Sequence, residues 1–410
     1  MKDCNRKYLR KLNSPKKIRW RRRTYQAEYS LTLARHTYYI VEDLAGSKRQ
    51  RYMAFDSWTR ARGKMWCLLG IDGKNLSTKL QPPGLIDKLA RLSGNDGGMP
   101  VIFKCYPKGS RAYLVTSWID GEDLGSYLDR VSDGYRCAFQ GEKCIQRKIK
   151  CLRKKEKGQR CEVIPTAHQV CSIMRKLAHS LHKLHRLNMV HGDLSPKNLI
   201  LQRNPNQLVM IDFGSAWLVE HTVNRASGDG TTDKYAAPEL QQNQPFVDAR
   251  SDQFSFGVIW YELLTLKLPY AKYGGSLIKL PPQKRSMIEQ AYEPPSKVAR
   301  RLGEGQNQLP QEAWNLIDKI IGRCLKLEPD KRYSTGRDLL DDVDELWLAL
   351  KPKRLSGNNE QFIEMLDNEQ FIEMLSHQSS VSYAIKTALN RTWHRLKRIA
   401  ISLIQSFFRS

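Results

Sequence analysis

No run of about 20 apolar residues occurs in the 410-residue chain, which excludes a helix that crosses a membrane. Acid is scarce. Only 42 Asp and Glu stand against 68 Lys and Arg, and the resulting +26 disfavours cationic partners. Phosphates, nucleic acid or an anionic membrane surface are the neighbours such a charge prefers, and a solvated surface in a host whose proteins run basic is the plainer alternative. The nine cysteines are odd in number, spread along the chain and never spaced C-x-x-C, so a small disulfide scaffold is excluded and reduced thiols in the cytoplasm are expected. A secretory leader is not expected either, because Lys and Arg crowd the first residues and no apolar segment follows them.

What is present suffices for a large core. The chain is 40% apolar, and at this length two lobes or domains with tails are expected. Residues 1–35 read as a basic arm, disordered until it meets a partner. From about residue 36 three strand-like runs follow: Tyr38–Leu44, Arg51–Asp56 and Lys64–Leu69. Leu85–Leu92 has helical spacing, and Val101–Tyr106 with Ala112–Trp118 reads as a further hairpin. Asp120–Leu124 opens a helix, and Gln169–Leu187 is a longer one. Between them, residues 133–165 form a basic insert carrying Cys137, Cys144, Cys151 and Cys161. The gaps between these cysteines lack the close pairs of a zinc site, so a basic surface loop is the favoured reading and zinc the alternative.

Beyond residue 350 the composition changes. The octapeptide Asn359–Leu366 recurs unchanged at Asn368–Leu375, too short a repeat for a solenoid, so residues 351–380 read as a linker with a tandem duplication. Residues 381–410 carry Ile385, Leu389, Trp393, Leu396, Ala400, Leu403 and Phe407 at helical spacing, opposite Lys386, Arg391, Arg395 and Arg398. That pattern is a basic amphipathic helix, suited either to an anionic membrane surface or to the chain's own large lobe.

The chemistry concentrates in His191-Gly-Asp-Leu-Ser-Pro-Lys-Asn198 and Ile211-Asp-Phe-Gly214. Short apolar runs at Leu199–Leu201 and Leu208–Ile211 flank a turn at Asn204-Pro-Asn206, so two paired strands bring Asp193, Asn198 and Asp212 together. Two carboxylates and an amide suit magnesium, a hard ion that takes oxygen ligands and a substrate's phosphates. These stretches resemble the catalytic loop and metal loop of the protein kinases. The resemblance continues through Tyr235-Ala-Ala-Pro-Glu239, Ser251-Asp-Gln-Phe-Ser-Phe-Gly257 and Cys324–Arg332, and covers about residues 36–350.

The resemblance implies an α+β, bilobal fold: a small β-rich lobe at 36–118 and a large, mostly helical lobe at 119–350, joined at a hinge where Thr116, Ser117 and Ile119 meet the nucleotide. It implies ATP and Mg2+, with Asp193 as the base, Lys197 touching the transferred phosphate, and Asn198 and Asp212 holding the metal. Gly214, Glu239, Asp252 and Arg332 take structural roles. A protein serine or threonine is the implied acceptor. Gly192 replaces the arginine that would pair with a phosphate on Thr222, Ser227 or Thr231, so control through that phosphate is not expected.

The small lobe departs from the family. Ala45–Arg51 has one glycine where a Gly-rich loop is usual, and Met65–Gly70 has an apolar residue in place of the usual lysine. The helix near Leu85 lacks the glutamate that pairs with that lysine. The with-no-lysine kinases relocate their lysine, and Lys48 or Arg49 is the expected substitute here. The main expectation is therefore an active serine/threonine kinase in the cytoplasm or at the inner membrane face. A pseudokinase scaffold is the alternative. A small-molecule phosphotransferase is disfavoured by the Ala-Pro-Glu segment, and nucleic-acid binding by the basic regions is compatible with either.

Overall fold

The computed structural model describes residues 8–20, 23–44, 51–57, 65–72, 88, 92, 98–108, 111–139, 165–202, 207–219, 233–242, 248–300 and 309–350. The chain divides into two compact units, Met1–Lys351 and Pro352–Ser410, and every described residue lies in the first. Lys48, Cys144, Cys151, Cys161, the Asn204–Asn206 turn, the linker at 351–380 and the basic helix at 381–410 lie outside the described residues.

The fold is α+β with two lobes. The small lobe is one antiparallel sheet of β1 (Arg10–Trp20), β2 (Arg23–Leu33), β3 (His36–Asp43), β4 (Arg51–Asp56), β5 (Met65–Asp72), β6 (Ile102–Lys108) and β7 (Arg111–Ser117), in the order β1-β2-β3-β4-β5-β7-β6. Side-chain alternation divides its core in two. Tyr52 and Ala54 of β4 join Leu31, Leu33, Tyr38, Ile40, Tyr106, Tyr113 and Val115 in one cluster. Met53 and Phe55, from the alternate positions, meet Ile18, Trp20, Tyr25, Val41 and Trp118 in another.

The sheet begins earlier than the sequence suggested. The expected disordered arm at 1–35 is corrected by β1 and β2, which extend the small lobe toward the N-terminus from the expected boundary at residue 36. Leu31 and Leu33 are fully buried, so part of the arm is core. The basic density belongs to the edge: Arg10, Lys11, Lys16, Lys17 and Arg19 are exposed on β1. Charge on an edge strand discourages pairing with a second chain, so it marks a sheet margin as readily as a disordered tail.

The large lobe contains α1 (Leu124–Phe139), α2 (Ala167–His185), α3 (Pro238–Gln241), α4 (Arg250–Thr265), α5 (Pro282–Gln290), α6 (Pro295–Ala299), α7 (Gln311–Cys324) and α8 (Gly336–Leu350). The expected insert at 133–165 is shortened at its start, because α1 continues through Phe139. Thr166 opens α2 with a capping box, accepting from the Gln169 amide while the Gln169 side chain accepts from its own. Helix α4 is buried almost all round, with α2, α6 and α7 packed on it. A small sheet of β8 (Gly121–Asp123), β10 (Leu199–Gln202) and β11 (Gln207–Met210), in the order β11-β10-β8, carries the two chemical loops. A short pair, β9 (Met189–Val190) with β12 (Trp217–Leu218), braces them.

The burial of β2 generates a test. Leu31→Ala removes a fully buried side chain and is expected to cost about 2–5 kcal/mol in urea unfolding. A disordered arm would leave the midpoint unchanged.

Candidate active site

The site is built on the start of α4. Asp252 is 1% exposed, and its carboxylate accepts from the backbone N–H groups of His191 and Gly192, each at 2.9 Å. The ring Nε2 of His185 lies 3.0 Å from the same carboxylate. Burial alone would raise the pKa of this group. The hydrogen bond from His185, the neighbouring His191 and the Gly192 amide outweigh it, and the carboxyl is held below the ordinary range.

This anchor fixes the backbone at residues 191 and 192. His191 is fully buried, and its Nε2 sits 3.1 Å from the Ile211 carbonyl while its Nδ1 accepts from the Asp193 amide at 3.4 Å. That pattern puts the ring proton on Nε2 and ties the catalytic loop to the metal loop. Asn198 strengthens the tie. Its Nδ2 donates to the Asp193 carbonyl at 2.7 Å and lies 3.5 Å from the Asp193 carboxylate, and its own carbonyl accepts from the Ile211 amide at 2.9 Å.

Asn198 is thus hydrogen-bonded to Asp193 on one side and to Ile211, the residue before Asp212, on the other. Asn198 spends its amide nitrogen inside the loop, which leaves the oxygen as the end a hard cation would take. Asp212 has a φ of 65°, a conformation that few side-chain-bearing residues adopt. Gly214 follows in the 3-10 turn Phe213–Ser215. Lys197 is exposed within the turn Pro196–Asn198, beside the buried Ser195.

Gly192 has a structural reason. Its φ is 71°, and a Cβ there would lie 1.8 Å from Cζ3 of Trp217. The Trp217 ring fills the space a side chain would need, so an arginine cannot enter without moving β12.

A second lock closes the far side. Arg332 is buried, and all five of its N–H donors are used: two on the Glu239 carboxylate at 2.7 and 2.9 Å, the others on the carbonyls of Arg250, Lys326 and Leu327. Glu239 belongs to the Ala-Pro-Glu segment, whose Tyr235 donates to Glu262 at 2.6 Å.

Thr116, Ser117 and Ile119 belong to the end of β7 and the connection that follows it. Thr116 is buried in the ladder opposite Cys67 and Ile102. Ser117 donates its amide to the Val101 carbonyl at 2.8 Å and accepts from the Val101 amide at 3.0 Å through its hydroxyl. Ile119 is half-buried in the connection to β8. Among the described residues no hydrogen bond joins these three to the catalytic loop.

One residue escaped the sequence reading. Arg51, the first residue of β4, extends its Nη2 to the carboxylate of Asp212. Asp212 is thus already matched with a cation in this structure. The signal lay in the loop that has lost its glycines: counting G-x-G-x-x-G from Gly46 brings the last glycine position to Arg51.

Comparison with known proteins adds the following. The family described as "Protein kinase domain" matches residues 105–343. A "Probable serine/threonine-protein kinase" of Clostridium acetobutylicum is 26% identical over 204 residues, 49% of this chain and 27% of that protein. Myosin light chain kinase A of Dictyostelium discoideum is 28% identical over 190 residues, 45% of this chain and 55% of that protein. The chain thus spans from about a quarter to about half of the length of these two curated relatives. The crystal structure of the Mycobacterium tuberculosis PknI kinase domain aligns with a TM-score of 0.47 and 15% identity, covering 77% of this chain and 97% of that one.

Two substitutions test the frame. Asp252→Asn is expected to cost about 1.5–3 kcal/mol in urea unfolding at neutral pH, the worth of hydrogen bonds to a charged acceptor. Because the folded carboxyl titrates below its ordinary 3.8, its contribution is complete above about pH 4 and is lost as the pH falls further. The variant's stability should therefore fall less steeply than the parent's at acid pH. Gly192→Ala, placed against Trp217, should lower the melting temperature by several degrees, about 1–3 kcal/mol for a strained and overpacked site.

Proposed function

The chain belongs to the protein kinase domain family, and from that premise we propose that it transfers the terminal phosphoryl group of ATP to a serine or threonine hydroxyl of a protein substrate. The observation that carries this reading is the bond from Asn198 Nδ2 to the Asp193 carbonyl at 2.7 Å, which holds base and metal ligand in one frame. The serine/threonine names of the relatives support the acceptor type.

In this reading Asp193 accepts the proton of the attacking hydroxyl, and Lys197, exposed in the turn Pro196–Asn198, meets the phosphate being transferred. Asn198 and Asp212 would hold magnesium, which neutralises charge on the phosphates. Thr116, Ser117 and Ile119 receive the adenine at the connection between lobes. The buried locks at Asp252 and Arg332 keep these groups in register, and positioning is most of what phosphoryl transfer asks of a protein.

The scaffold reading draws on one observation. Arg51 already pairs with Asp212, so that carboxylate has a cationic partner without a nucleotide or a metal. A partner that is nucleic acid or an anionic membrane rests on the +26 charge alone.

Phosphate incorporation separates the two readings. With labelled ATP and magnesium, the full chain should phosphorylate a generic basic protein on serine or threonine, and Asp193→Asn should reduce the rate by about 10²–10⁴-fold. A parent chain that neither transfers phosphate nor hydrolyses ATP would leave only the scaffold.

A further inference from the structure

We propose that Arg51 is the phosphate-binding cation of this site, displaced by one strand from the position where the family carries a lysine. The inference rests on the nucleotide reading above and identifies a residue that the reading lacks.

A triphosphate poised for transfer needs a fixed positive group besides its metal, because negative charge on the phosphates repels the attacking oxygen. Strand β5, Met65-Trp-Cys-Leu-Leu-Gly-Ile-Asp72, offers none. Setting the run Trp66-Cys-Leu-Leu69 against the family's V-A-I-K puts Leu69 at the lysine's position. The ladder pairs Leu69 directly with Arg51 of β4. Residues directly opposed in an antiparallel pair share a face, with Cβ atoms about 4.5–5.5 Å apart. The register therefore roots the cation one strand to the side of that position.

Its direction is fixed by two observations. Arg51 follows the alternation of Met53 and Phe55, which face away from the cluster holding Tyr52 and Ala54. Its guanidinium then reaches Asp212, 161 residues along the chain, inside the catalytic frame. Asp212 is 6% exposed and Arg51 20% exposed, so the pair is sheltered but open on the arginine side. A guanidinium presents several N–H donors in one plane and matches carboxylate and phosphate oxygens alike, so the same group can hold Asp212 with one edge and phosphate with another. Arg51 therefore takes the role assigned in the sequence reading to Lys48.

The alternative is an ion pair that only braces the small lobe against the metal loop. Binding measurements on the full chain distinguish the two, using MgATP and adenosine as probes. Arg51→Met is expected to weaken MgATP binding by about ten- to a hundredfold, the loss of a charge-assisted contact, while adenosine binding is unchanged. Arg51→Lys should retain part of the affinity. The double change Arg51→Met with Leu69→Lys, which returns the cation to the neighbouring strand, should restore it. A brace would give equal losses for both probes, or none. Either result overturns the proposal, as does a phosphate-selective loss in Lys48→Met with none in Arg51→Met, or a parent chain that binds no MgATP. The functional reading is judged separately: a parent chain that binds MgATP through Arg51 yet transfers no phosphate supports this inference and refutes the kinase activity.

Discussion

Asp252 sits almost without exposure inside the large lobe, and a carboxylate there is tolerable only where donors replace the water it has lost. It finds them in the two successive backbone amides of His191 and Gly192 and in the ring of His185. The arrangement works in both directions. The amides satisfy the charge, and the charge fixes the peptide planes just before Asp193. Were the loop to move, a buried carboxylate would be left uncompensated, so the catalytic loop inherits the rigidity of α4. The wall of the same loop is equally constrained, since Trp217 occupies the volume that any side chain at residue 192 would claim.

The first turn of α4 serves the other lock as well. Arg332 donates to the Arg250 carbonyl while binding Glu239 through two bonds, and the Tyr333 amide donates to the side chain of Gln253. Four consecutive residues, Arg250 to Gln253, thus hold the catalytic loop through Asp252 and help seat the Ala-Pro-Glu segment through Arg332. A buried ion pair is weak evidence for stability by itself, because desolvation offsets most of the attraction. Here every guanidinium donor is used, which is the condition under which such a pair fixes one geometry. The Ala-Pro-Glu segment and the loop at His191–Asn198 consequently share one foundation.

Legibility in the sequence followed the range of the forces involved. The tie between Asp193, Asn198 and the strand pair that leads to Ile211 was readable because its parts are close along the chain. Strands β10 and β11 were readable from apolar runs on either side of a turn. The strands β1 and β2 were not, since five exposed bases on an edge strand look like a disordered arm unless the burial of Leu31 and Leu33 is known. Arg51 was hidden for a different reason. Its relation to Leu69 is a register, and its relation to Asp212 spans both lobes, and neither can be counted off a linear motif.

The position of Arg51 also bears on how a site with a degenerate cradle stays compensated. An unpaired Asp212 would be a sheltered negative charge, and an unpaired arginine on the neighbouring strand a sheltered positive one. Joined, each satisfies the other while no substrate is present. In the proposed role Arg51 would keep one edge on Asp212 and offer the other to phosphate oxygens, and a divalent cation held by Asp212 would add to that compensation, so neither charge would be without a counterion. A lysine on β5 paired with a glutamate on a helix reaches the same neutrality with two additional residues. On the proposed role of Arg51, the absence of a lysine from β5 and of an acidic residue from the segment near Leu85 would go together with the arginine at residue 51: a cation rooted in β4 and matched by Asp212 leaves no charge for a second pair to balance.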